Sequence, residues 1–91
     1  MIRANLNTKT DPVLISDGSW AGSGQSETIS CNVDDYIYIY DYTSSISLPT
    51  VVSGGTIIST ENKSVIVKAT SSTVVVTAQG TGGLYIYGVF R

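Results

Sequence analysis

From residue 34 to 42 the chain reads DDYIYIYDY. This period-two alternation puts Tyr36, Tyr38, Tyr40 and Tyr42 on one face of a strand and Ile37 and Ile39 on the other. The pattern returns near the far end in LYIYGVF, with Leu84, Ile86 and Phe90 on one side and Tyr85 and Tyr87 on the other. No segment shows apolar residues at helical spacing with a cap and a length of about ten or more. Instead, short β-branched and aromatic runs separated by Gly, Ser, Asn and Asp clusters predict a compact all-β domain. The expected strands are Val13 to Ser16, Glu27 to Val33, Asp35 to Tyr42, Ser47 to Ser53, Thr56 to Thr60, Ser64 to Thr70, Thr73 to Gln79 and Gly83 to Phe90.

In VVSGGTII, Gly54 and Gly55 separate two apolar runs and suit a tight hairpin turn, where positive φ is required. Further turns over Glu61 to Lys63 and over Ser71 and Ser72 extend this into an antiparallel meander from residue 50 to 79. Within it Val65, Val67 and Ala69 share a face, as do Val74, Val76 and Ala78, and this valine face is the expected core. Pro49 lacks an amide donor and marks an edge, broken or bulged strand. Residues 16 to 26, SDGSWAGSGQS, read as the longest irregular loop and carry the only tryptophan, Trp20. Residues 1–12 read as an extended arm and residues 13–91 as one domain. About eight short strands at this spacing point to a single antiparallel β-sandwich, with a jelly roll pairing strands three and eight as its specific form.

Composition changes the picture in three places. Charged residues make up only 13% of the 91, while 24 Ser and Thr predict hydroxylated outer faces. The five cations, Arg3, Lys9, Lys63, Lys68 and Arg91, are scattered, so no basic stripe offers itself to nucleic acid, and a net charge of -2 leaves little repulsion between copies. The single cysteine, Cys31, forms no intrachain disulfide and alternates with Ile29 and Val33 as a small buried hydrophobe. The opening MIRANLNTKTDP has no apolar signal region and no run is long enough to span a membrane, so synthesis in a cytoplasm is the expectation. Asn62 in NKS reads as turn chemistry.

The tyrosines are the main candidate chemistry. All six lie on two predicted strands, and if those strands pair they form one aromatic patch. Half-exposed, six rings present on the order of 450 to 750 Å², at or above the roughly 300 to 600 Å² a monomer usually leaves open. Which face of these strands is core is open: the tyrosines either line the interior or form a contact surface for a protein or a sugar. Tyr36, Tyr38, Tyr40, Tyr42, Tyr85, Tyr87 and Trp20 are the candidate binding residues. With no histidine, Ser-His-Asp and Cys-His catalysis are excluded. No cysteine or histidine cluster suggests a transition metal, and no cofactor is implied. Asp34, Asp35 and Asp41 bracket the first tyrosine strand without glycosidase or calcium-loop spacing and read as gatekeepers, so no enzyme is expected.

The stretches SDGSWAGSG, VVSGGTIIST and LYIYGVFR, in a Ser/Thr/Gly-rich chain, resemble the small β proteins of bacteriophage virions, such as capsid decoration (cement) proteins. The resemblance implies a non-enzymatic virion protein that docks on assembled capsid or tail subunits, often as an oligomer, through β surfaces and an extended arm. Two alternatives stand beside it. One is a carbohydrate-binding sandwich in which Trp20 and open tyrosines stack on sugar while Asn32, Asp34, Asp35 or Asp41 bind hydroxyls. The other is a self-assembling fibre or spike segment.

Overall fold

The computed structural model describes residues 12–21, 24–42, 48–78 and 84–91. Eight strands follow the β-branched and aromatic runs: β1 Leu14–Ala21, β2 Ser26–Ser30, β3 Tyr36–Asp41, β4 Thr50–Ser53, β5 Gly55–Thr60, β6 Ser64–Ala69, β7 Thr73–Thr77 and β8 Leu84–Phe90. No described residue is helical, so no helix among them crosses a membrane. The expected arm lies outside the described residues except for Pro12.

The strands form two antiparallel sheets, ordered β1-β8-β3-β6-β5 and β2-β7-β4. Trp20, Ile37, Ile39, Val65, Val67, Ala69, Tyr85 and Val89 from the first pack against Ile29, Val74 and Val76 from the second, with Ala78 just beyond β7, in one buried cluster. The architecture is an all-β sandwich. β3 and β8 are neighbours, as expected, but β5 lies beside β6 and the strands divide five and three, so the jelly-roll order is not reproduced in full.

The meander expected over residues 50 to 79 is corrected. Only the turn over Glu61 to Lys63 closes a hairpin, between β5 and β6, where the Glu61 amide donates to the Ser64 carbonyl at 2.8 Å. β4 and β5 do not pair with each other; at Gly54 the chain passes from the three-stranded sheet to the five-stranded one, and near residues 70–72 it passes back. β4 pairs with β7 and β5 with β6, so residues 50–77 form one long hairpin folded over at its middle. The reason lies in the valines: β6 and β7 each carry an apolar face, and side by side in one sheet both would need cover from elsewhere. Folded, they cover each other.

Gly54 sits at the corner with φ +82° and accepts from the Thr70 amide at 2.8 Å. A Cβ there would stand 1.9 Å from the Thr73 carbonyl oxygen, so the corner requires glycine. Of the two glycines expected at positive φ, only Gly54 adopts it. β4 starts directly after Pro49, forms an edge of its sheet and is bulged between Val51 and Ser53, as the proline indicated.

Two further boundaries differ. The expected loop from residue 16 is strand through Ala21, and β2 stops at Ser30. Cys31 is therefore only half-buried, its thiol 3.4 Å from the Ser71 carbonyl, and Val33 is exposed in the turn that follows.

Candidate functional site

Paired residues in antiparallel strands share a face, so the register decides where the tyrosines point. Tyr36 lies opposite Phe90 and Lys68, Tyr38 opposite Gly88 and Ile66, and Tyr40 opposite Ile86 and Ser64. These residues look away from the core, with Tyr36 and Tyr38 more than 40% exposed and Tyr40 half-buried. Tyr42, just beyond β3, is exposed. The other parity, Ile37 and Ile39, is fully buried.

On β8 the parity is reversed relative to the side chains. Tyr87 opposes Ile39 and Tyr85 opposes Asp41, which puts both tyrosines on the core side and leaves Leu84, Ile86 and Phe90 outside. The single patch of six tyrosines is therefore not formed. Tyr85 is completely buried, and Trp20, 6% exposed, stacks on it at 4.9 Å and 19°. Trp20 Nε1 donates to the Gln25 carbonyl at 3.1 Å, which satisfies the indole within the fold. Tyr87 is half-buried beside Trp20 and hydrogen-bonded to Glu27, and burial first, then the Glu27 charge, pushes its phenol pKa up. Thus Tyr85, Tyr87 and Trp20 belong to the interior and its edge. Val89, two residues beyond Tyr87 and fully buried, is the aliphatic signal that marks this face as core.

The outer face of the five-stranded sheet is nevertheless apolar. A groove of about 640 Å³ crosses it, lined by Pro12, Tyr36, Tyr38, Ile58, Ile66, Phe90 and Arg91. Ile58 is half-exposed next to the bulge between Ile57 and Ser59, while Leu14 and Phe90 lie over Gly88. The outward position of Ile66 follows from the valine alternation in β6, and Ile58, next to the inward-paired Ile57, takes the outer face by the same alternation; the bulge brings Ser59 onto that side as well.

The outer face of the three-stranded sheet is different. Ser26 pairs with Thr77, Thr28 with Val75, Ser30 with Thr73 and Thr50 with Thr77, and the Ser26 and Thr77 hydroxyls are hydrogen-bonded at 2.8 Å. Apart from Val75, the hydroxylated surface expected from composition is thus the outer face of the three-stranded sheet, while that of the five-stranded sheet carries the aromatic and aliphatic residues together with Asp17, Ser19 and Thr56.

Charges rim the apolar face. Lys68 Nζ lies 5.9 Å from the Tyr36 ring centre and Lys63 Nζ 5.6 Å from that of Tyr40. Lys68 also approaches Asp34 at 3.9 Å. Asp34 itself is at φ +75°, in the turn that leads into β3. At the end of the groove Arg91 grips the buried Asp35: Nε donates to Oδ1 at 2.9 Å and Nη2 to Oδ2 at 3.0 Å, while the Asn32 amide donates to Oδ2 at 2.8 Å. The Arg91 hydrogen bonds hold the Asp35 carboxyl below its usual range. Val13 and Arg91 exchange both backbone hydrogen bonds, at 3.1 and 2.9 Å, which fixes Pro12 and Arg91 at the groove's rim. Of the acids named for sugar binding, Asp35 and Asp41 are buried, leaving Asp34 open.

No protein-family profile, curated protein or solved structure matches this chain. The face itself is the guide. Among the described residues no group of three or more His, Cys, Asp or Glu converges on a point, and the groove is walled by hydrocarbon and rings. Such a surface binds by excluding water, with phenol hydroxyls and cations at its margin for orientation.

Proposed function

We propose that this chain is a non-enzymatic docking domain that covers the outer face of its five-stranded sheet with a protein partner. The observation that carries the reading is the asymmetry of the sandwich, with one outer face hydroxylated and the other exposing Leu14, Tyr36, Tyr38, Ile58 and Ile86. Burial of apolar area supplies the driving force, and flat tyrosine rings lose little rotamer freedom on contact. The likeness of SDGSWAGSG, VVSGGTIIST and LYIYGVFR to phage decoration proteins suggests the partner class: assembled capsid or tail subunits, with the chain as a virion component. The sugar-binding alternative loses support, because Trp20 and Tyr85 are interior and Asp35 is engaged by Arg91.

Co-sedimentation with assembled phage shells from the genome that encodes the chain tests the reading. The unmodified protein and a Thr28→Lys variant on the hydroxylated face are expected to pellet with shells, and Tyr38→Lys to stay in the supernatant. Equal pelleting of both variants, or none by the unmodified chain, would overturn it.

A further inference from the structure

We propose that a second copy of this chain covers the apolar face, so that two sandwiches stack with their five-stranded sheets facing each other about a two-fold axis. This rests on the docking reading: the pair holds the face in the free protein and must open before a shell subunit can take its place.

Area supports it. Five strands spaced about 4.8 Å apart and rising about 3.3 Å per residue give a face on the order of 500 to 600 Å² for strands of this length. Two stacked copies remove roughly 1,000 to 1,200 Å², at the lower end of what specific interfaces bury. That is the size of a weak, reversible dimer.

Charge points the same way. Lys68 has Asp34 beside it, Arg91 is bound to Asp35, and Lys63 shares its turn with Glu61. Asp17, exposed on β1 opposite Gly88, adds one carboxylate to the same face, so the charge is nearly but not fully balanced and a strongly acidic or basic partner gains little Coulomb energy from it. A weakly charged face of matching size fits best, and a second copy presents one at equal concentration. The net charge of -2 opposes the approach only weakly. An isologous contact also closes at two, which keeps an exposed apolar sheet from growing into a fibre.

Sedimentation velocity on the full chain from about 1 to 500 μM, a span that brackets micromolar association, with nitration of accessible tyrosines as a second readout, tests the proposal. The expected result is a concentration-dependent dimer in which Tyr36 and Tyr38 become protected while Tyr42 stays reactive. Tyr38→Lys should weaken the dimer at least about tenfold, as removal of a central contact does, and Thr28→Lys should leave it unchanged. Ile58→Lys, at an exposed position on an edge strand, repeats the test where Tyr38→Lys fails to fold. A monomer throughout, with Tyr36 and Tyr38 reactive, overturns self-pairing but leaves the face open for another protein. A dimer that survives Tyr38→Lys and Ile58→Lys but is lost in Thr28→Lys overturns self-pairing and the docking reading together. An assembly larger than two overturns the two-fold stack.

Discussion

Asp35 shows how one side chain holds a whole corner. Its carboxylate receives two hydrogen bonds from Arg91 and one from the Asn32 amide while 2% of the residue is exposed, so it joins the turn before β3 to the end of β8. Hydrogen bonds to a charged group contribute roughly 1.5 to 3 kcal/mol, and Asp35→Ala is expected to destabilise the fold by about 1 to 3 kcal/mol at neutral pH, measured by urea unfolding. The pH dependence has a definite sign. Because the folded-state pKa is lowered below the unfolded value near 4, the contribution is present above about pH 4 and is lost as pH falls through the folded value. The difference between wild type and Asp35→Ala should therefore shrink in acid. At Gly54, positive φ and the Thr73 oxygen act together; Gly54→Ala should lower stability by about 2 to 4 kcal/mol, seen as a fall in Tm.

At the scale of elements, the pairing of β3 with β8 separates two alternations that look alike in the sequence. Tyr36 and Tyr38 stand outside and Tyr85 inside because Asp41 and Ile39, not Tyr40 and Tyr38, lie opposite Tyr85 and Tyr87. The alternation was legible, as were the inward valines of β6 and β7 and the places of the eight strands among the described residues, save that most of β1 was read as loop. The choice of face was not, since a tyrosine fits either a core or a surface, and on β8 the single aliphatic beside the tyrosines, Val89, is set against Leu84, Ile86 and Phe90 on the other side. Trp20 was read into a loop because SDGSWAGSG is rich in small residues, yet β1 borrows order from β8 along seven paired positions. Of the seven tyrosine and tryptophan positions singled out, the candidate face keeps the three on β3, with Tyr42 exposed beyond its end. Apolar neighbours such as Ile58 and Phe90 complete it. A paired measurement separates the faces: Ile37→Ala should cost about 2 to 5 kcal/mol by removing buried volume, and Tyr38→Ala less than about 1 kcal/mol, the scale of a cross-strand pair.

For the whole molecule, the sandwich has a more polar side and a more apolar side, and the proposed pairing makes the cover of the apolar side depend on concentration. Dilution should expose Tyr36 and Tyr38 without altering Trp20, whose indole is stacked and hydrogen-bonded inside. Tryptophan emission therefore reports folding alone, and tyrosine reactivity reports association. The folded-over hairpin of residues 50–77 sets how the molecule comes apart. A single turn at Glu61 to Lys63 starts a ladder that runs through β5 and β6, around the Gly54 corner, and on into β4 and β7. Neither sheet peels away along this hairpin by itself, because the chain runs continuously from one sheet to the other at both corners, at Gly54 and near residues 70–72. Opening of the Val67 amide in one sheet and of the Val76 amide in the other is thus a single event, and their hydrogen-exchange rates should rise together with denaturant.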